Sequence, residues 1–115
     1  MADKIITWYV DGSISKPKVE LAGTRYLDNH YAPEWVSITC RESGLGTPTI
    51  IDINDDGESI FETQPAITEY QTAKVWTTIP GNTIRKGSIL TMDVDQVFNS
   101  TWCRDLTVEL GLREV

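Results

Sequence analysis

The closing stretch, KGSILTMDVDQVFNSTWCRDLTVELGLREV from Lys86 to Val115, alternates apolar and polar residues twice. Leu90, Met92 and Val94 share one face, with Thr91, Asp93 and Asp95 on the other. After a break, Leu106, Val108, Leu110 and Leu112 share a face, opposed by Thr107, Glu109 and Arg113. Successive side chains of a strand point to opposite sides of a sheet, so this period of two reads as two half-buried strands. A helix would place the same leucines all around its circumference.

The rest of the chain repeats that signature. Strands are expected over Ile5–Val10, weakly over Lys18–Leu21, then over Trp35–Arg41, Thr49–Ile53, Glu58–Phe61 and Ala73–Thr78. Between them lie Asp11-Gly12-Ser13, the polar stretch 22–33, a Gly/Pro turn at 43–48, Asn54-Asp55-Asp56-Gly57, a loop over 64–71 and Pro80-Gly81-Asn82. Such clusters punctuate strands. No window carries helical apolar spacing with caps. The expected fold is all-β: a single domain, residues 1–115, built as an antiparallel β-sandwich of about eight strands, of jelly-roll or Greek-key type. A closed barrel of similar strand count is the alternative.

Charge bounds the partners. With 10 basic and 17 acidic residues the net charge is -7, the opposite of the basic footprint that nucleic acid or an anionic membrane surface demands. No apolar run approaches the ~20 residues of a bilayer span. The start, MADKIITWYVDGS, lacks a signal-peptide layout, so folding in a cytoplasm is expected.

Asp52-Ile53-Asn54-Asp55-Asp56-Gly57 matches the opening of a calcium loop, which makes Asp52, Asn54 and Asp56 candidate ligands. The twelfth position, where a bidentate carboxylate is expected, is Thr63. The competing reading is a β-hairpin whose Asp56-Gly57 tolerates positive φ. Asp93 and Asp95 lie ~7 Å apart on one strand face; they read as solvated surface pairing with a basic residue across the sheet, not as a catalytic pair. Cys40 and Cys103 are too few for a disulfide scaffold or a four-thiolate zinc site. They read as buried or half-buried thiols, with a disulfide between neighbouring strands as the alternative outside a reducing compartment. One histidine, His30, and no nucleophile motif or phosphate loop argue against an enzyme.

Four tryptophans are many for this length. Trp8 shares a face with Ile6 and Val10 and belongs to the core. Trp35 shares a face with Ser37 and Thr39, which places it on the outer face or in a subunit contact. Trp102 sits in the loop between the last two strands. Exposed aromatics mark protein contacts or sugar-stacking platforms, so carbohydrate is a second candidate partner. Trp35, Trp102, Tyr26 and Tyr31 are the candidate contact residues, Tyr26 and Tyr31 lying in a candidate docking loop from Tyr26 to Pro33. The segment up to Val10 and the stretch 22–33 are the expected lattice contacts.

Three segments carry a family resemblance: Ile6-Thr7-Trp8-Tyr9-Val10-Asp11-Gly12, the hairpin IIDINDDGESIF from Ile50 to Phe61, and KGSILTMDVDQV with DLTVEL between Lys86 and Leu110. They resemble a family of small jelly-roll-like sandwich domains in tailed-bacteriophage virion proteins. The resemblance implies a non-enzymatic structural or adhesive module of the virion, commonly a homotrimer, assembled in the host cytoplasm and docked on the major capsid protein or other virion proteins. It covers capsid decoration, head fibre and tail or baseplate appendage. No collagen-like, coiled-coil or β-helical stalk accompanies the domain, which favours a stand-alone decoration protein over a fibre tip.

Overall fold

The computed structural model describes Asp3–Val115, and these residues form two antiparallel sheets and no helix. Nine strands occur in the order β1 (Lys4–Ser13), β2 (Arg25–Tyr26), β3 (Tyr31–Thr39), β4 (Thr49–Asp55), β5 (Glu58–Ser59), β6 (Ala66–Ile67), β7 (Ala73–Trp76), β8 (Ile89–Gln96) and β9 (Arg104–Glu114). One sheet has the order β1-β9-β3-β7; the other runs β2-β8-β4-β5, with β6 also paired to β4. The chain changes sheet at most steps, staying in the second sheet only from β4 to β6. Counting β5 and β6 as one broken strand gives eight, and the two orders are those of a jelly roll.

The alternation of the closing stretch is what builds the core. Leu106, Val108, Leu110 and Leu112 of β9 are fully buried, and so are Leu90 and Met92 of β8, with Val94 nearly so. They meet Trp8, Val36 and Ile38 from the first sheet and Ile51 and Ile53 from the second. β9 holds the centre because it pairs with β1 on one side and β3 on the other. Pairing with β1 sets Lys4 opposite Leu112 and Val10 opposite Leu106, so the start of β1 lies beside the end of β9. The Asp3 amide donates to the Leu112 carbonyl (2.8 Å) and the Glu114 amide to the Asp3 carboxylate (2.8 Å).

The hairpin expected around Asn54–Gly57 is present and tighter than expected. β4 runs on to Asp55, which pairs with Glu58, leaving only Asp56 (φ 49°) and Gly57 (φ 90°) in the turn. Two consecutive positive φ angles are the mark of a type I′ turn, whose twist matches the strands it joins.

Several expected boundaries move. β1 continues through Asp11-Gly12-Ser13, because a bulge between Val10 and Ser13 absorbs the glycine. The Gly12 amide there donates to the Asp105 carboxylate (2.8 Å). Lys18–Leu21 is not a full strand; it touches the free edge of β8 by one bridge, Lys18 to Val94, and a Leu21 amide to Met92 carbonyl bond (2.8 Å). The stretch 22–33 contains β2 and the first three residues of β3, with Pro33 accommodated beside a second bulge. Of the segment up to Val10, Met1 and Ala2 lie outside the described residues; in the rest Ile6 and Trp8 are core, and the alternate residues face out.

Candidate docking face

The strand order β1-β9-β3-β7 lays out the outer face of the four-stranded sheet as rows. Ile5, Gly111 and Trp35 form one row. Thr7, Glu109, Ser37 and Val75 form the next. Tyr9, Thr107, Thr39 and Ala73 form the third. Ile5 is 53 % exposed, Tyr9 52 % and Val75 62 %. Trp35 is half-buried, because it covers Gly111, where an added Cβ would collide with the indole. The one carboxylate in the middle row, Glu109, accepts the Thr7 hydroxyl (3.2 Å). The result is a face mostly of apolar and hydroxyl-bearing side chains, the composition of a surface that gains by being covered.

Tyr9 adds a polar handle at the rim. Its hydroxyl donates to Asp11 (3.3 Å). Partial burial, then the negative charge of Asp105 and of Asp11, pushes the phenol above its ordinary value, so it stays a neutral donor.

The other expected contact residues separate. Tyr26 is 71 % exposed on β2, opposite the exposed Ile89 of β8 in the same sheet. Trp102 is 49 % exposed in the β8–β9 loop. Tyr31, expected at a contact surface, is instead a core residue. Its hydroxyl donates to Asp28 (2.8 Å), which also pairs with Lys4 (2.9 Å), and Lys4 sits 5.7 Å above the Tyr31 ring. That polar clamp gives the phenol a partner and lets the ring sink inward.

The three candidate calcium ligands each make a separate hydrogen bond. Asp52 and Asn54 are buried on β4 and Asp56 lies in the turn. The Asp52 carboxylate accepts the Ser59 hydroxyl (2.5 Å), and the Asn54 amide donates to Asp93 (2.7 Å). The Asp56 carboxylate accepts the Ile89 backbone amide (2.9 Å). Asp52 and Asp56 thus accept from different donors, and Asn54 acts through its nitrogen. Among the described residues, no group of three or more His, Cys, Asp or Glu side chains is arranged to hold a metal.

Asp95 is exposed and Asp93 half-buried, so both lie on a surface face as expected. Their partners are amides and not basic residues: Asp93 accepts from the Glu20 backbone (2.8 Å) and Asn54, and Asp95 from Gln64. The histidine Nδ1 accepts the Lys86 amide (3.1 Å), a backbone tie.

One cleft, about 290 Å³, lies between Pro33, Asp55, Glu58, Phe61, Asn82 and Ile84. Neither it nor three other clefts among the described residues carry a tryptophan in their walls. Trp8 is in the core, and half-buried Trp76 donates its indole N–H to the Thr78 carbonyl (3.1 Å). A tryptophan platform beside Asp or Asn in a groove, the arrangement sugar stacking requires, is not formed by these residues.

No protein-family model matches this chain, and neither does a curated protein or a solved structure.

Proposed function

We propose that this protein is a non-enzymatic structural module of a tailed-bacteriophage virion, docking as an oligomer on the particle as a capsid decoration or head-fibre protein. The observation that carries the reading is the uncovered outer face of the four-stranded sheet, with Ile5, Tyr9, Trp35 and Val75 displayed on rigid strands. A mixed apolar and hydroxyl face carried on paired strands suits repeated docking, because no loop has to be ordered on contact. The jelly roll is also the fold of many viral capsid domains, an argument by analogy of fold. The motifs from Ile6 to Gly12, Ile50 to Phe61 and Lys86 to Leu110 add the resemblance to virion proteins. The net charge of -7 favours solubility before assembly.

The test is association. The purified protein should have a solution mass in multiples of three chains and should co-sediment with phage particles. The Ile5→Lys/Val75→Lys variant should keep its urea midpoint, since exposed substitutions usually cost under about 0.5 kcal/mol. It should lose both associations. A wild-type protein that stays monomeric and never binds particles would sink the proposal.

A receptor- or carbohydrate-binding role is the second reading, favoured by the exposure of Trp102. Glycan binding lost in Trp102→Ala, with particle binding retained, would shift the assignment to it.

A further inference from the structure

At the hairpin end of the sandwich the core opens into the cleft of about 290 Å³. Its floor is apolar: Pro33, Phe61 and Ile84 line it, and all three are buried. Its acid comes from the hairpin. Asp55 follows Ile51 and Ile53 at a period of two, so it falls on the inward side of β4. It pairs with Glu58 of β5. Opposite residues of an antiparallel pair project to the same side of the sheet, with Cβ atoms about 5 Å apart. Glu62 adds a third carboxylate to the wall, and no lysine, arginine or histidine lines this cleft.

One of these oxygens is stranded. Asp55 Oδ1 is shielded from solvent and has no hydrogen-bond partner. Among the described residues the ion pairs are Lys4–Asp28, Arg41–Asp105 and Arg104–Glu42, and none reaches the cleft. Arg85 and Lys86 border the adjoining cleft, yet neither pairs with Asp55 or Glu58. A buried carboxylate oxygen without a donor is costly, so the fold leaves a place for a donor from outside.

We propose that this cleft receives an arginine side chain from a partner protein, presented on an extended segment. Charge complementarity selects a cation, and the paired carboxylates of Asp55 and Glu58 select its shape. A guanidinium is a planar fork of N–H donors that can serve both, whereas a lysine ammonium is a compact point charge. The apolar floor takes the aliphatic stem. A metal ion does not suit the site, because among the described residues no three such groups are arranged to hold one. The volume is just under the roughly 300–1,000 Å³ of small-ligand sites, which suits one long side chain. The opposite lip supplies donors for the segment that carries the arginine. Among the described residues, the Asn82 and Thr83 amides there donate to no backbone carbonyl. The cleft shares no residue with the rows of the outer sheet face, so this site is independent of that face and of the virion reading.

The experiment titrates the native, isotope-labelled protein with N-acetyl-arginine methylamide and follows the backbone amides by NMR. Saturable shifts should centre on Ile60, Asn82 and Thr83, with a Kd of about 1 mM. Capped citrulline, the neutral isostere, should produce none, and capped lysine should bind several-fold more weakly. Asp55→Asn and Glu58→Gln should each weaken binding about tenfold or more, the loss of a charge-assisted hydrogen bond. Glu58 is exposed, so its substitution leaves the fold intact. The Ile5→Lys/Val75→Lys variant should bind capped arginine as wild type does, which separates this site from the docking face. An absence of saturable shifts, equal binding of capped citrulline or capped lysine, or binding that Glu58→Gln leaves unchanged would each overturn the proposal.

Discussion

The indole of Trp35 occupies the space that a side chain at position 111, its cross-strand partner, would need. Gly111 is therefore the residue that lets the largest aromatic of the outer face lie close to the sheet. Gly111→Ala is predicted to displace the indole and destabilise the protein by about 1–3 kcal/mol, the usual range for overpacking. In a Trp35→Ala background the same change should cost much less, because the two residues share one space. Urea unfolding of the four proteins closes the cycle; equal costs in both backgrounds would contradict the contact.

The clamp of Lys4, Asp28 and Tyr31 predicts opposite behaviour at the two ends of the pH scale. Hydrogen bonds from Lys4, then from Tyr31, hold the Asp28 carboxyl below its ordinary 3.8. A depressed folded value means that its contribution is present above 3.8 and lost as the pH falls through the lower folded value. The hydrogen bond to Asp28, then burial, raises the Tyr31 phenol to about 12. A raised folded value means a contribution complete below 10 and lost between 10 and about 12. Asp28→Asn should lower the neutral-pH urea midpoint, match wild type in strong acid, and move Tyr31 tyrosinate absorbance to lower pH. An unchanged tyrosinate titration would remove the clamp.

Asp52 predicts a stabilising substitution. Burial raises its carboxyl above the ordinary 3.8, against the opposing donors Ser59 and Gln64. The folded protein then holds this proton more tightly than the unfolded chain, so stability from this group falls as pH rises past 3.8. Asp52→Asn keeps an oxygen for the Ser59 hydroxyl and removes the buried charge. Its urea midpoint should exceed wild type at pH 7, with the gap closing below 3.8. A lower midpoint at neutral pH would mean that the charge stabilises the fold.

The strands that were legible in the sequence are those whose signal is local. The leucine alternation of β9 and the Asp56-Gly57 turn each need only neighbouring residues, and both are where the pattern places them. The misplacements come from partners distant in the chain. Gly12 looks like a terminator, but Asp105 holds it in the sheet. Tyr31 looks like a docking aromatic until Asp28, itself paired with Lys4, satisfies its hydroxyl from outside the core. The acidic run Asp52–Asp56 resembles a metal loop because the sequence shows oxygens and not the hydrogen bonds that Asp52 and Asp56 accept in the fold. The outer face was half legible: alternation puts Trp35 outside, but only the order β1-β9-β3-β7 sets Ile5, Gly111 and Trp35 in one row.

The pairing of β1 with β9 has a mechanical consequence. The two strands are antiparallel neighbours, and Lys4 faces Leu112, so a tension applied between Asp3 and Val115 acts across the sheet at one end of the pair. Antiparallel hydrogen bonds lie perpendicular to the strands, so this load falls on the outermost rung first and then on each in turn. Pulled in this direction the protein is a zipper that gives way at low force, one row at a time. Pulled between β9 and a point at the far end of β1, it would resist by shear, with the whole ladder sharing the load.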